Sequence, residues 1–167
     1  YGFRPAAPSL VTLITSLFLH GGGGHLAGNM LFLWIFGDNV EGRLGPLGFS
    51  LLYLGGGIAA TCFFWMFVPG SQVPMVGASG AISAILGCYF IWFPENRIKI
   101  FVFLFPILVR TIQVPAKIVL GFYLLIDNLV PFLLNFGGGT GVAYGAHIGG
   151  FLAGLGLAMT LKRSWRG

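Results

Sequence analysis

Ser79 stands in the string Gly77-Ala78-Ser79-Gly80, and His147 in Ala146-His147-Ile148-Gly149-Gly150; each string opens a stretch apolar enough to lie in hydrocarbon. A hydroxyl and an imidazole are costly there unless they find partners or stay neutral. Together they are a nucleophile and a base able to activate it. His25 and Asn29 add a second pair. Spaced i, i+4, they project from one face of a helix, and both offer N–H donors. Such donors, with the backbone N–H of Ser79, suit an oxyanion developing on a substrate carbonyl. Each residue also has a plainer reading. Ser79 can cap a helix, His147 can bond a backbone carbonyl, and His25 with Asn29 can tie helices together for about 0.6–2 kcal/mol. What favours chemistry is that all four fall at one depth on one face of the membrane. No carboxylate is placed to orient His147. Asp38 and Glu41 fall at the opposite membrane face and Asp127 in mid-span, so the expectation is a Ser-His dyad with no metal and no cofactor. Asp127, with Asn128 beside it, is an intramembrane carboxylate whose functional and hydrogen-bonded structural readings are equally open.

The elements that must position these residues follow from hydropathy. Apolar residues make up 56% of the 167-residue chain and charged residues only 8%, against roughly 25% charged in soluble domains; mean hydropathy is +0.90. The chain reads as one membrane domain, 1–167, with 1–24 as an outer loop. Spans are expected at about 25–40, 46–68, 78–93, 114–134 and 142–161, near the roughly 20 residues that cross about 30 Å of hydrocarbon. Asp38–Arg43, Pro69–Gln72, Pro94–Arg97 and Gly137–Gly141 have turn and helix-stop compositions, and 98–113, broken by Lys99, Pro106 and Arg110, reads as a surface-lying connection. Cys62 and Cys88 sit singly in apolar runs, as small packed hydrophobes. The start at Tyr1, with no initiator Met, implies a natural protein that begins earlier.

Five spans place Arg43, Arg97, Lys99, Arg110, Lys117, Lys162, Arg163 and Arg166 on one side and only Arg4 on the other. The basic side is then cytoplasmic, and Ser79, His147, His25 and Asn29 open toward the outer face. The net charge of +5 needs no nucleic-acid partner. From Ser79 to Phe93 there are 15 residues, or about 22 Å of helix. With its foot at the inner interface, this helix stops short of the outer one, and its free N–H groups require a hydrated pocket with Ser79 at the floor. The positive end of the helix dipole favours negative charge there. Gly150 and Gly154, spaced small-x-x-x-small, let the His147 helix pack closely, most simply on the Ser79 helix.

His25-x-x-x-Asn29, Gly77-x-Ser79-Gly80 and Ala146-His147-x-x-Gly150 resemble, in order and spacing, the three signatures of rhomboid intramembrane serine proteases. The stretch 36–45, with Glu41-x-Arg43, is similar to the Glu-x-Arg pair after the family's second helix. The resemblance covers essentially the whole chain. It implies an all-α membrane protein, a polytopic rhomboid-like bundle with five transmembrane helices matching helices two to six of a six-helix core, the first being absent. It implies Ser79 as nucleophile, His147 as general base, and His25 and Asn29 at the oxyanion. It implies an endopeptidase cleaving transmembrane segments of other membrane proteins in the bilayer, with small residues at the cut and helix-destabilising ones beyond it. A prokaryotic inner membrane is the expected location. The alternative is a non-catalytic rhomboid-like protein that binds membrane clients; such relatives typically lack the serine or the histidine. The chain departs from the family at Ser83, where some members carry a tyrosine that stacks on the histidine, and at Gly21–Gly24, where bulkier residues are common.

Overall fold

The computed structural model describes residues 1–104, 108–134 and 142–164. The glycine-rich turn expected at 137–141 lies outside them.

A short helix, α1 (Leu10–Thr15), and a 3₁₀ turn (Ser16–Phe18) form within the stretch read as an outer loop. The long helix α2 (Gly23–Phe67) follows, 45 residues broken only at Gly45, whose φ is +72°. A glycine in the left-handed region ends one helix, and Pro46, which lacks an N–H to lose, opens the next. Asp38–Arg43, taken as a turn from composition, is helical throughout. The reason is local: none of those residues removes a donor or crowds the one before it, whereas Pro46 lacks an N–H and disfavours the α region at Gly45. The two arms fold back on each other. A Cβ at Gly37 would lie 3.5 Å from the ring of Phe49. Gly28 and Phe32 of one arm share a cavity with Ala60 and Phe64 of the other.

Helix α3 (Ser79–Trp92) is the centre of the molecule, with every residue from Gly80 to Tyr89 buried. A helix apolar on all sides belongs inside other helices, not at their edge. It packs on α2 and on α6 (Tyr144–Ser164). The α3–α6 contact is backbone on backbone. A Cβ at Gly150 would collide with the Gly80 carbonyl, one at Gly154 with the Ala84 carbonyl, and one at Gly87 with the Phe151 carbonyl. Gly150 and Gly154 therefore face the Ser79 helix, as their spacing suggested. Cys88 Sγ donates to Gly154 O at 3.2 Å and Trp92 Nε1 to Ala158 O at 3.2 Å, tying the same two helices further along.

Between α3 and the next helix the chain makes an antiparallel hairpin, β1 (Arg97–Leu104) with β2 (Leu108–Pro115), where sequence suggested only a surface connection. Ile98, Ile100, Val102, Ile112 and Val114 are β-branched, which favours strands over helix. The chain continues through α4 (Ala116–Phe122), a π-helix (Tyr123–Leu129) and α5 (Val130–Leu134), which run on as one 19-residue apolar helix. Gly23–Phe67, Ala116–Leu134 and Tyr144–Leu161 are long and apolar enough to cross a membrane, and α3 is a shorter apolar helix. Trp34, Leu47, Leu51, Phe122, Leu125 and Leu133 are exposed on the outside, a surface suited to lipid rather than water. The result is a multi-pass helical membrane bundle carrying one small hairpin. Arg43 lies over the Trp92 ring, 4.7 Å from its centroid, at the end of α3 away from Ser79. Glu95 pairs with Lys117 just beyond that end.

Candidate active site

Ser79 is the first residue of α3, and the approach to it is fixed from outside the helix. Phe3 and Met75 exchange backbone hydrogen bonds at 2.9 and 2.7 Å, and the Ala6 N–H donates to Ser71 O at 3.0 Å. Trp65 Nε1 donates to Pro5 O at 3.0 Å, and the Gly77 N–H to Ser16 O at 2.9 Å. The chain then turns through Gly77, whose φ of +132° favours glycine. A Cβ there would also press on the His25 ring, 2.8 Å from Cε1. Ser79 does not cap its helix. Its Oγ lies 2.8 Å from Nε2 of His147, which sits in the first turn of α6. The glycine contacts between α3 and α6 set that distance, since a larger residue at Gly150 would drive the helices apart.

The other face of His147 is not bare. Its Nδ1 lies 2.6 Å from Asn128 Oδ1, and Asn128 Nδ2 donates to Tyr123 O at 2.7 Å. The Tyr123 ring stacks on the imidazole, with centroids 6.4 Å apart at 29°. Its hydroxyl is 2.7 Å from Ser83 Oγ. Sequence reasoning found neither Tyr123 nor Asn128 as a partner of the histidine. It looked for a carboxylate to orient His147 and for a ring at position 83. The structure instead brings a ring from the 116–134 helix over the histidine and anchors its hydroxyl on Ser83. Asn128 is 2% exposed; the sequence shows only an amide in an apolar span, and neither its burial nor its partner can be read there. Asp127, one residue away, is exposed and does not line the cavity, so it is not brought to Ser79.

His25 and Asn29 reach the same place from the first arm of α2. The Gly21 N–H donates to His25 Nδ1 at 3.3 Å, which leaves the ring's Nε2 as the donor. That nitrogen faces Gly77, two residues from Ser79. Asn29 is 7% exposed, and its Nδ2 has no hydrogen-bond partner among the described residues. A buried, unpaired donor costs about 1–3 kcal/mol and is ready for an acceptor. All four sequence-predicted residues, Ser79, His147, His25 and Asn29, line one cavity of about 700 Å³. Gly21, Gly24, Val142 and Ala143 line it too, all near the start of their helices and at the same end of the bundle. The described residues contain no cluster of His, Cys, Asp and Glu able to hold a metal. The arrangement joins a hydroxyl to an imidazole, holds that imidazole from behind, and places His25 and Asn29 on the wall of the same cavity.

Comparison with known proteins gives the arrangement its context. A rhomboid-domain profile matches residues 7–164. The chain is 37% identical over 102 residues to Rhomboid protein 1, mitochondrial, of Saccharomyces cerevisiae, covering 59% of this chain and 30% of that protein. It is 34% identical over 152 residues to Rhomboid protease GluP of Bacillus subtilis, covering 89% of this chain and 25% of the relative. It is 33% identical over 100 residues to the presenilin-associated rhomboid-like protein, mitochondrial, of Bos taurus, covering 58% and 26%. The chain thus spans about a quarter to a third of the length of these relatives. Two of the three carry mitochondrial names, so the expected prokaryotic inner membrane finds no support; what stands is an integral, multi-pass membrane protein. With the match running over nearly all its length, through Ser79 and His147 alike, the chain belongs to the rhomboid family.

Proposed function

We infer that this chain is an intramembrane serine endopeptidase that cleaves transmembrane segments of other membrane proteins. The observation that carries the reading is the 2.8 Å contact between Ser79 Oγ and His147 Nε2 in a cavity shared with His25 and Asn29. Ser79 Oγ attacks the scissile carbonyl as His147 Nε2 takes its proton. The carbonyl oxygen becomes an oxyanion, and the Ser79 backbone N–H, Asn29 Nδ2 and His25 Nε2–H are the groups in this reading that donate to it. His147 then returns the proton to the leaving amine, and the C–N bond breaks to leave an acyl-Ser79 ester. Water in the cavity, activated by the same imidazole, releases the acid and restores the hydroxyl. A substrate must present an extended backbone to reach Ser79, so its helix must unwind near that end of the bilayer. The glycines around the serine leave room for it. The chain makes five crossings in this reading, α2 supplying two, with the cavity on the side opposite the basic residues. A fluorophosphonate probe tests it. Ser79 should become labelled in detergent, Ser79→Ala should not, and a reporter transmembrane substrate in liposomes should be cut only by the unmodified chain. Binding of that substrate without cleavage by the unmodified chain would identify a client-binding protein instead.

A further inference from the structure

We propose that Asn128 is the positioning residue of the Ser79–His147 pair, its side-chain amide deciding which nitrogen of His147 carries the proton. The inference rests on reading Ser79 and His147 as nucleophile and base. A backbone carbonyl can only accept, so the amide nitrogen of Asn128 must face Tyr123 O, 2.7 Å away. That turns Oδ1, also only an acceptor, toward His147 Nδ1 at 2.6 Å, and the proton of a neutral imidazole must then sit on Nδ1. Nε2 is left with a lone pair 2.8 Å from Ser79 Oγ, so the hydroxyl is the donor in that bond. Each link has one solution. The fixed carbonyl sets the amide, the amide sets the tautomer, and the tautomer makes Nε2 a base instead of a donor. The role is the one a carboxylate or an asparagine plays behind the histidine of other nucleophile–base pairs. A neutral amide does it here without placing a charge in the membrane, where an anion would be costly.

The backbone is shaped for this task. Tyr123 and Asn128 are five residues apart and both touch the same imidazole, Tyr123 by stacking and Asn128 by its bond. In an α-helix residues five apart point about 140° away from each other. The π-helix over Tyr123–Leu129, which closes on the fifth residue, brings them onto one face. The wide turn is held in place by Ser83, which grips the Tyr123 hydroxyl from the helix that carries Ser79. Ser83 and Ser79 are one turn apart on α3, so nucleophile and clamp move as one body.

The test uses the full chain in liposomes with a reporter transmembrane substrate. Asn128→Ala should lower kcat by about 10²-fold, the cost of a reacting group misplaced by roughly 1 Å, with KM changed by less than about twofold. Asn128→Asp, which as a neutral carboxylic acid can donate its O–H to Tyr123 O and accept the same N–H from His147, should recover at least about tenfold of that loss. In 15N-histidine-labelled wild-type protein, His147 should carry its proton on Nδ1, its signal assigned by its absence in His147→Gln. Wild-type kcat in Asn128→Ala, or a His147 protonated at Nε2, overturns the proposal. The NMR reading needs no Asn128 variant, so it decides even if Asn128→Ala does not fold. Ser79→Ala keeps the two inferences apart. Cleavage that survives it refutes the nucleophile itself; cleavage lost there but intact in Asn128→Ala refutes only the role of Asn128.

Discussion

At the scale of single residues, the four polar groups that sequence picked out meet around one cavity, and two that it passed over complete the set. Ser79, His147, His25 and Asn29 were legible because each interrupts an apolar span at the same end of the bundle. Tyr123 and Asn128 were not, because an unpaired i, i+5 spacing carries no meaning until the π-turn is known. Ser79→Ala and His147→Ala should each abolish cleavage while leaving a folded protein, and the double variant should be no worse than either, since nucleophile and base act as one unit. Substantial turnover in either single variant would remove the dyad. Asn29→Ala and His25→Ala should each cost less, because the Ser79 backbone N–H remains. Loss of one oxyanion donor typically lowers rate by about 10²–10³-fold. Unchanged kcat in both would make the pair purely structural.

At the scale of elements, the glycine seam between α3 and α6 is what converts two remote strings into a site. Gly150→Val must displace the Gly80 carbonyl and the Ser83 side chain. The expected outcome is an inactive protein with every polar group still present, because about 1 Å of separation is worth roughly 10²-fold. Retained cleavage with an unchanged melting temperature would mean the helices can absorb the side chain. Helix existence and the seam were readable from hydropathy and small-residue spacing. Two element boundaries were not. Composition ended the first span near residue 40, whereas the helix runs to the Gly45-Pro46 pair, the first point where backbone geometry forces a stop. The hairpin at 97–115 was hidden by its prolines and charges, although Ile98, Ile100 and Val102, and again Ile112 and Val114, stand at every second position.

At the scale of the molecule, the cavity should be wet at the Ser79 end and the α3 core dry. After Cys62 and Cys88 are replaced, Gly28→Cys, which has open space for a side chain and lines the cavity, should react with a membrane-impermeant thiol reagent added on that side. Ile85→Cys, at a fully buried position of α3, should not. Equal protection of both would argue for a dry cavity and against hydrolysis there. The fold as a whole was the most legible level, since hydropathy and the distribution of basic residues constrain a membrane bundle more tightly than a soluble one.

The helix spanning Ala116–Leu134 is less buried within the bundle than either α2 or Tyr144–Leu161, yet it carries Tyr123 and Asn128, which touch the back of His147. The least buried of the long spans thus positions the imidazole of His147, and local opening of that helix costs less free energy than melting the whole bundle. Heating should therefore silence cleavage in a reversible transition several degrees below the global unfolding followed by tryptophan fluorescence, to which Trp92, packed against the core, contributes. Coincident transitions would mean that the 116–134 helix is as firmly seated as α3.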